Sequence, residues 1–198
     1  MAPILINAGC GSSGAEGLPA YFSSWQHLRV DIDPDVRPDI IADIRDLSVI
    51  GTGAADAIWG AHCVEHLFQY EVPAALGKMR QVLKDDGVLI VIVPDLQTIA
   101  RLITEDRMTE TLYESAAGQI TPHDVLYGYG AALAAGRGHM AHNTGFTPTS
   151  LAESIRAAGF EHFVVIRRAE QCELAVIARK TAWPSDQHRQ AQIEAIGL

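Results

Sequence analysis

Near its amino terminus the chain reads ILINAGCGSSG over residues 4–14, an apolar run that passes into glycines. The apolar part, which ends at Ala8, is too short for a helix, and its branched side chains are typical of a buried parallel strand. Gly9, Gly11 and Gly14 follow at G-x-G-x-x-G spacing, which lets the backbone turn sharply and approach a ligand closely. A helix after such a turn would direct its free N–H groups at a carboxylate or phosphate. On its own, the pattern fits an ordinary tight turn equally well.

Acidic residues follow the next two predicted strands. Residues 27–30 predict a second strand that ends at Asp31, 22 positions after Gly9. A carboxylate at about this spacing is typical of the group that holds a nucleoside ribose. Residues 39–42 predict a third strand, which ends at Asp43. Because the carboxyl ends of parallel strands share one edge of a sheet, the glycines and the two acids describe one ligand lying across that edge.

Five short motifs, in this order, resemble those of the class I S-adenosylmethionine-dependent methyltransferases, in particular the small type 11 domains. They are NAGCG at 7–11, VDID at 30–33, ADIRDL at 42–47, AHCVEHL at 61–67 and VLKDDGVL at 82–89. The resemblance covers roughly residues 3–95 and resumes over 145–180. It implies a Rossmann-like α/β fold with a seven-stranded, mostly parallel sheet whose last strand is inserted antiparallel. It also implies S-adenosylmethionine as cofactor and S-adenosylhomocysteine as product.

The residues themselves predict alternating strands and helices, which is the pattern of a parallel α/β sheet with right-handed crossovers. Six apolar residues in a row, from Val88 to Val93, are typical of a central strand covered on both faces. The other predicted elements are a helix over 18–25, a strand over 55–59, helices over 73–83, 96–103 and 149–158, and a C-terminal antiparallel hairpin over 162–168 and 173–179.

We expect a single domain over residues 1–180, followed by a polar tail over 181–198 that has room for a short helix. The core of this domain comprises 1–95 and 147–180, and residues 96–146 form an insertion of helices and loops over the ligand edge. Polar aromatic residues are unusually dense in this insertion. Because insertions at such an edge usually carry substrate recognition, we expect this one to act as a lid that contacts the acceptor.

Composition excludes several classes of protein. The 198 residues are 48% hydrophobic, which argues against disorder, and the net charge is −9 without a basic cluster, which disfavours nucleic acid as a partner. No apolar run reaches the length of a membrane span, and the amino terminus lacks the positive region of a signal peptide. The three cysteines have neither disulfide nor metal spacing. We therefore expect a cytoplasmic enzyme that acts on a small molecule and not at a membrane.

The resemblance also implies a set of cofactor contacts. Asp31 would accept hydrogen bonds from both ribose hydroxyls. Asp43 would accept a hydrogen bond from the adenine amino group, while the Ile44 amide would contact a nitrogen of the adenine ring. Asn7 stands where the family usually has an acid that reaches the methionine amino group. Ala61 and His62 would lie beside the sulfonium. The full predicted set is Asn7, Gly9, Cys10, Gly11, Asp31, Ile32, Asp43, Ile44, Ala61 and His62.

Residues 62–66 also fit H-x-x-E-H, a zinc-protease pattern. Zinc binding of that kind needs both histidines on one face of a helix, whereas this run follows directly on a predicted strand. No third ligand is identifiable, so we expect no metal. His66 is expected to be a packed, hydrogen-bonded residue rather than a catalyst.

For methyl transfer to a hydroxyl or a protonated amine, a histidine near neutral pKa is the usual base. We predict His139 or His142, because the glycine-flanked segment 136–143 can move and leads back to the core at 145–148. The alternative is that both histidines are exposed residues of the lid. The acceptor is expected to be a small molecule methylated on oxygen or nitrogen.

Two other functions fit parts of the sequence. An NAD-binding oxidoreductase uses the same glycines and acid, although the sequence has no Tyr-x-x-x-Lys pair and such an enzyme gives Asp43 no role. A non-catalytic nucleoside-binding or scaffold protein is the other alternative, because a fold does not fix a function. The chain begins at its first strand, without the helix that many relatives use to cover the cofactor. A homodimer in which a second copy provides that cover is therefore one expectation.

Overall fold

The computed structural model of the protein describes residues 2–12, 17–115 and 118–198, so Gly14 of the predicted glycine pattern lies outside the described residues. The strands are β1 (Ile4–Ala8), β2 (Gln26–Asp31), β3 (Ile40–Ile41), β4 (Ala55–Ala61), β5 (Leu83–Pro94), β6 (Tyr113–Ser115), β7 (Gly118–Ile120), β8 (His162–Arg168) and β9 (Glu173–Arg179). The α-helices are α1 (Val72–Val82), α2 (Leu96–Thr104), α3 (Pro122–Tyr127), α4 (Gly130–Ala134), α5 (Pro148–Ala157) and α6 (Asp186–Ile196).

Seven of these strands form one sheet in the order β3-β2-β1-β4-β5-β9-β8. Strands β1 to β5 are parallel to one another, whereas β9 lies between β5 and β8 and runs antiparallel to both. The predicted seven-stranded Rossmann-like sheet with one antiparallel strand is therefore confirmed. Strands β6 and β7 form a separate hairpin within residues 96–146.

The order of the strands reverses at β1. From β1 the chain runs outward through β2 to β3 and then returns to β4 on the other side of β1. In open α/β sheets, ligands bind at such a reversal, in the crevice outside the carboxyl ends of the strands. The turn after β1 and the ends of β2 and β4 therefore meet where a ligand is expected.

The two faces of the sheet are buried in separate hydrophobic clusters. Along β5, Leu89 and Val91 belong to one cluster and Val88 and Ile90 to the other, as the alternation of side chains in a strand requires. Helices α1 and α5 cover the first face with Leu76, Met79, Leu151 and Ile155. Helix α6 contributes Ile193 and Ile196 to the second face, so the C-terminal residues complete the cover of that face.

The helix predicted over residues 18–25 is wrong. This segment contains a single 3-10 turn, Ala20–Phe22, that directly follows an extended Pro19. Phe22 is fully buried, and its ring packs edge-on against Trp25 and Trp59, with centroids 5.1 and 6.2 Å apart. Because β2 begins at Gln26, one turn is enough to place these rings, and burial of the aromatic cluster outweighs helical periodicity.

The insertion leaves and re-enters the core at one point. Asp95 and Phe146 form a parallel bridge, and the Leu96 amide donates to the Phe146 carbonyl at 2.9 Å. Asp95 is fully buried, caps α2 through the Gln97 amide at 3.0 Å, and forms an ion pair with Arg167 on β8 at 2.8 Å. The two ends of the insertion are thus joined at the end of β5. None of the described helices combines the length and apolar character that a membrane crossing requires.

Candidate active site

A cavity of about 920 Å³ lies outside the carboxyl ends of β1, β2 and β4. All ten residues predicted to bind the cofactor line it: Asn7, Gly9, Cys10, Gly11, Asp31, Ile32, Asp43, Ile44, Ala61 and His62. The insertion forms the opposite wall with Tyr129, Ala131, Ala132, Ala135, Arg137, His139, Met140 and Asn143. The structure therefore brings the predicted residues together around a single space.

The turn after β1 depends on glycine. Gly9 and Gly11 adopt left-handed backbone angles, with φ of 65° and 54°. A Cβ on Gly9 would lie 2.4 Å from the Cβ of Cys63, so only glycine lets this turn pass so close to the chain after β4. The amides of Gly9 and Cys10 both donate to the Val30 carbonyl, at 2.9 and 3.1 Å, and tie the turn to β2.

Asp31 is held in place by backbone amides. It is 9% exposed at the end of β2, and its Oδ2 accepts a hydrogen bond from the Gly11 amide at 2.8 Å. Its Oδ1 accepts from the Asp33 amide at 2.9 Å. Each carboxylate oxygen keeps a free lone pair, so the group can still accept from a ligand in the cavity.

Asp43 is part of an ion-pair network that the sequence interpretation did not include. Arg45 donates from its backbone amide to Oδ1 at 2.8 Å, and from Nε to Oδ2 at 2.9 Å. The same guanidinium reaches Glu71 through Nη1 at 2.7 Å. Burial opposes ionisation of Asp43, but the hydrogen bonds from Arg45 outweigh it and hold the pKa of this carboxyl below its usual range. The carboxylate is therefore charged and fixed in orientation.

His62 lies between two carboxylates. Its Nε2 is 2.9 Å from Glu173 Oε1, and its Nδ1 is 3.4 Å from Glu65 Oε1. Desolvation disfavours the charged ring, but the contacts with Glu173 and Glu65 outweigh it and raise the pKa of His62 to about 10. The backbone of His62 is left-handed, with φ of 53°, which is uncommon for a residue with a side chain. A second ion pair, of 2.8 Å from Arg168, holds Glu173.

Glu65 is a buried carboxylate with 1% of its surface exposed. Neither of its oxygens has a hydrogen-bond partner among the described residues. Burial favours the neutral form, but the contact with the charged His62 ring outweighs it and lowers the pKa of Glu65. A negative charge therefore lies next to the His62 imidazole and within electrostatic range of the His66 and His142 rings.

The remaining histidines of the region differ in position. His139 lines the large cavity, with Nε2 3.6 Å from Asp33 Oδ2. His142 lines a neighbouring cavity of about 180 Å³, its Nδ1 is 2.7 Å from the Val125 carbonyl, and burial lowers its pKa. His66 lines the large cavity, whereas the sequence analysis expected it to be a packed, hydrogen-bonded residue.

The H-x-x-E-H run does not lie on an α-helix. Residues Val64–His66 form one 3-10 turn directly after β4. Across the described parts of the chain, no group of three or more His, Cys, Asp or Glu side chains is placed to hold a metal ion. The geometry on which the zinc-protease pattern depends is therefore not formed by this run.

A family model described as a methyltransferase domain matches residues 6–91, the part of the chain that carries the glycine turn, Asp31, Asp43 and His62. Residues 6–91 therefore carry a methyltransferase domain, in agreement with the class I S-adenosylmethionine-dependent methyltransferases that the sequence resembles. The resemblance read from the sequence is thus confirmed, and the cofactor of the domain is S-adenosylmethionine. No curated protein sequence matches the chain at a significant level.

Solved structures share the fold of this methyltransferase at low sequence identity. A Pyrococcus horikoshii protein is 14% identical with a TM-score of 0.60, over 91% of this chain and 83% of that one. A SAM-dependent methyltransferase from Archaeoglobus fulgidus is 13% identical with a TM-score of 0.60, over 90% and 86% of the two chains. The 1,6-didemethyltoxoflavin-N1-methyltransferase of Burkholderia thailandensis, solved with 1,6-didemethyltoxoflavin and S-adenosylhomocysteine bound, is 17% identical with a TM-score of 0.53, over 91% of this chain and 72% of that one.

Three charged residues of the methyltransferase site were missed from the sequence. Arg45 follows Asp43 by two positions, so a local ion pair could have been considered. Glu65 lies within the AHCVEHL motif, but nothing in the motif indicates that its carboxylate is buried. Glu173 is 111 positions from His62, and their contact depends on β9 lying next to β5. No pattern within a single stretch of sequence could have shown it.

Proposed function

We propose that this methyltransferase transfers a methyl group from S-adenosylmethionine to an oxygen or nitrogen atom of a small-molecule acceptor. The observation that supports this is one cavity with two unlike walls. The sheet side presents glycines and fixed carboxylates, and the insertion side presents small apolar residues. Ligand pockets typically measure about 300–1,000 Å³. A volume of about 920 Å³ is at the upper end of that range and suits a cofactor together with an acceptor.

On the sheet side we assign each part of the cofactor to the predicted residues. Asp31 accepts hydrogen bonds from the ribose hydroxyls with the lone pairs that the amides of Gly11 and Asp33 leave free. Asp43 and the Ile44 amide meet the adenine edge, Asn7 faces the methionine amino group, and the sulfonium lies near Ala61 and His62. When bound, the cofactor supplies a methyl group that is already activated. The protein then has to align the acceptor atom with the methyl group and exclude water.

On the insertion side we place the acceptor. Ala131, Ala132, Ala135 and Met140 give this wall an apolar surface, to which Tyr129, Arg137, His139 and Asn143 add polar groups. An organic molecule with an apolar body and one nucleophilic oxygen or nitrogen fits this wall. The methyltransferase from Burkholderia thailandensis, which has a small molecule bound, supports this class of acceptor.

The same reasoning extends to partners and location. The net charge of −9 disfavours a nucleic-acid acceptor, because phosphate binding requires lysine and arginine. Cys10, Cys63 and Cys172 are free thiols, which fits a reducing compartment, and we propose the cytoplasm. A homodimer also remains a proposal.

Two measurements test the function. Calorimetry with S-adenosylmethionine, S-adenosylhomocysteine and NAD should show binding of the first two only. A ligand at 100 times its Kd should also raise the free energy of unfolding by about 2.7 kcal/mol. Transfer of a tritiated methyl group to small hydroxylated and amino compounds then tests catalysis. Binding of NAD alone would favour the oxidoreductase, and cofactor binding without transfer to any compound would favour a non-catalytic binding protein.

A further inference from the structure

Four histidines lie where the insertion meets the sheet, and their ring nitrogens differ in what they contact. We propose that His66 is the general base that takes the proton of the acceptor during methyl transfer. The inference deepens the proposed function and rests on it. It gives to His66 the role that the sequence favoured for His139 or His142.

His62 cannot take this role because both of its ring nitrogens face carboxylates. Glu173 lies 2.9 Å from Nε2 and Glu65 lies 3.4 Å from Nδ1. With a pKa of about 10, the ring carries both protons at neutral pH. A ring in that state has no lone pair with which to accept a proton.

His139 and His142 are less well placed than His66. His142 lines the smaller cavity and not the large one in which the cofactor and acceptor are proposed to bind. His139 lines the large cavity, but its Nε2 is 3.6 Å from the Asp33 carboxylate, two residues beyond Asp31 at the ribose end. His142 is therefore placed outside the large cavity, and the ion pair of His139 directs that ring towards the ribose end of the cavity.

His66 has the required geometry. It lines the large cavity, and its Nδ1 lies 3.1 Å from the Ala141 carbonyl. Because a carbonyl can only accept, Nδ1 carries the hydrogen and the neutral ring keeps its lone pair on Nε2. Within the described chain, Nε2 has no hydrogen-bond partner. Asn143 donates to the His66 carbonyl at 2.8 Å and ties this turn to the insertion.

A buried carboxylate close to His66 can stabilise a positive charge that forms on its ring during the reaction. The Glu65 carboxylate is ionised and close enough to interact with the rings of both His66 and His142. His142 packs edge-on against His66 with ring centroids 4.9 Å apart, and its lowered pKa keeps it neutral. Burial, with Glu173 and Glu65 adding to the effect, raises the pKa of Tyr113 to about 12, so that group is neutral too. Glu65 and His142 are therefore positioning residues, and His62 is the fixed cation between Glu65 and Glu173.

The step balances without another reactant. The lone pair of the acceptor oxygen or nitrogen forms a bond to the methyl carbon while the carbon–sulfur bond breaks and its electron pair goes to sulfur. The acceptor proton moves to Nε2 of His66, giving an imidazolium next to Glu65. Release of that proton to solvent restores the neutral ring.

The test uses His66→Gln and the matched variant His162→Gln. His162 begins the edge strand β8 and pairs with Arg179, which pairs in turn with Val88, six residues before the carboxyl end of β5. It does not line the large cavity. The probes are tritiated S-adenosylmethionine with a series of substituted phenols and anilines. His66→Gln should lower kcat by about 10²- to 10⁴-fold, the usual contribution of a general base. S-adenosylhomocysteine affinity should stay within about twofold, because a base at the acceptor makes little contact with the product cofactor.

The pH profile separates a base from a structural residue. In the wild-type protein kcat should rise with pH and then level off. In His66→Gln this rise should be lost for acceptors whose nucleophilic oxygen or nitrogen still carries its proton when the acceptor binds. Phenols that are already ionised should be affected least. A variant that keeps the wild-type kcat and pH profile would overturn the proposal.

A structure with S-adenosylhomocysteine bound decides the matter if none of the probes is methylated. Nε2 of His66 should lie about 5–7 Å from the sulfur, because the methyl group and the acceptor atom must fit between Nε2 and the sulfur. The base must also lie within hydrogen-bond distance of the acceptor atom, about 2.6–3.2 Å. An Nε2 that is more than about 10 Å away would remove His66. Failure of the wild-type protein to bind S-adenosylhomocysteine would instead contradict the proposed function.

Discussion

The carboxylate of Asp31 and the amide of Gly11 are joined by a hydrogen bond of 2.8 Å, so the acid at the end of β2 holds the glycine turn that follows β1. The second oxygen of Asp31 holds the Asp33 amide at 2.9 Å. The side chain proposed to bind the ribose therefore also shapes the turn that approaches the rest of the cofactor. Removing it should affect both functions.

Asp31→Ala is expected to weaken S-adenosylhomocysteine binding by about 1.5–3 kcal/mol, the loss that follows removal of hydrogen bonds to a charged group. Asp31→Asn should lose less affinity, because the amide oxygen can still accept from one backbone amide. Calorimetry measures both. The fold should survive in each variant, since Asp31 lies at the ligand edge and not in the hydrophobic clusters.

Asp35→Ala provides the control. Asp35 lies four residues further along on an exposed turn, and its backbone amide, not its side chain, makes the local contact with Asp33. Its loss should leave the affinity unchanged. If Asp31→Ala unfolds at much lower temperature but binds with wild-type affinity, Asp31 is a structural residue and the ribose assignment is wrong.

The gathering of the ten predicted residues around one cavity could be predicted because its signals are local. The glycines after β1 and the acids after β2 and β3 each lie at the end of a strand that a short apolar run indicates. Parallel strands then bring these ends together without any further information. The confirmed parallel α/β sheet and the shared cavity follow from this local pattern.

The acceptor side could not be predicted in the same way. The His66 ring is held at Nδ1 by the carbonyl of Ala141, which lies 75 positions later at the end of the insertion. The partner of His62 on β9 likewise depends on the insertion of that strand next to β5. The helix predicted over 18–25 was wrong for a related reason, since aromatic packing against Trp59 decides the conformation there. Contacts of this kind depend on tertiary structure and leave no periodic signal.

Gly9→Ala should destabilise the protein more than Gly53→Ala does. The two glycines have nearly the same φ, 65° and 66°, so the cost of a left-handed alanine, about 1–2 kcal/mol, applies to both. Only at Gly9 would the new Cβ meet another atom, Cys63 Cβ at 2.4 Å, whereas the space around Gly53 is open. Urea unfolding measures the difference. Equal losses in the two variants would show that the close approach to Cys63 imposes no constraint.

Arg45→Ala should weaken S-adenosylhomocysteine binding with little effect on stability. Arg45 fixes the Asp43 carboxylate and is itself held by Glu71, so its loss leaves Asp43 to be ordered by the ligand. Ordering one such side chain costs about 0.5–1.5 kcal/mol, or roughly a two- to tenfold change in Kd. Exposed ion pairs stabilise the fold by only about 0–1 kcal/mol.

Arg107→Ala is the matched control for Arg45→Ala. Arg107 is similarly exposed and also contacts two carboxylates, Glu105 and Glu110, but it does not line the cavity. Its removal should leave Kd unchanged. Equal effects of the two substitutions on calorimetric binding would mean that Arg45 acts only through the net charge of the protein.

The His62 ion pairs predict a specific pH dependence of stability. The pKa of His62 is about 10 in the folded protein and about 6.5 in the unfolded chain, so its contribution is complete below about pH 6.5. That contribution is lost as the pH rises through about 10, because the folded protein then releases the proton. Between pH 7 and 10, the free energy of unfolding should therefore fall more steeply in the wild-type protein than in His62→Asn.

Asparagine is the replacement of choice because it tolerates the left-handed backbone that His62 adopts, with φ of 53°. Urea unfolding at several pH values measures the two curves, and other groups that titrate in this range contribute equally to both proteins. His162→Asn, which removes a histidine with no side-chain ion pair in the described chain, should follow the wild-type curve. If the wild-type and His62→Asn curves stay parallel up to pH 10, His62 is not held protonated between Glu65 and Glu173. Its ring would then have a lone pair, and His66 would no longer be preferred over it as the base.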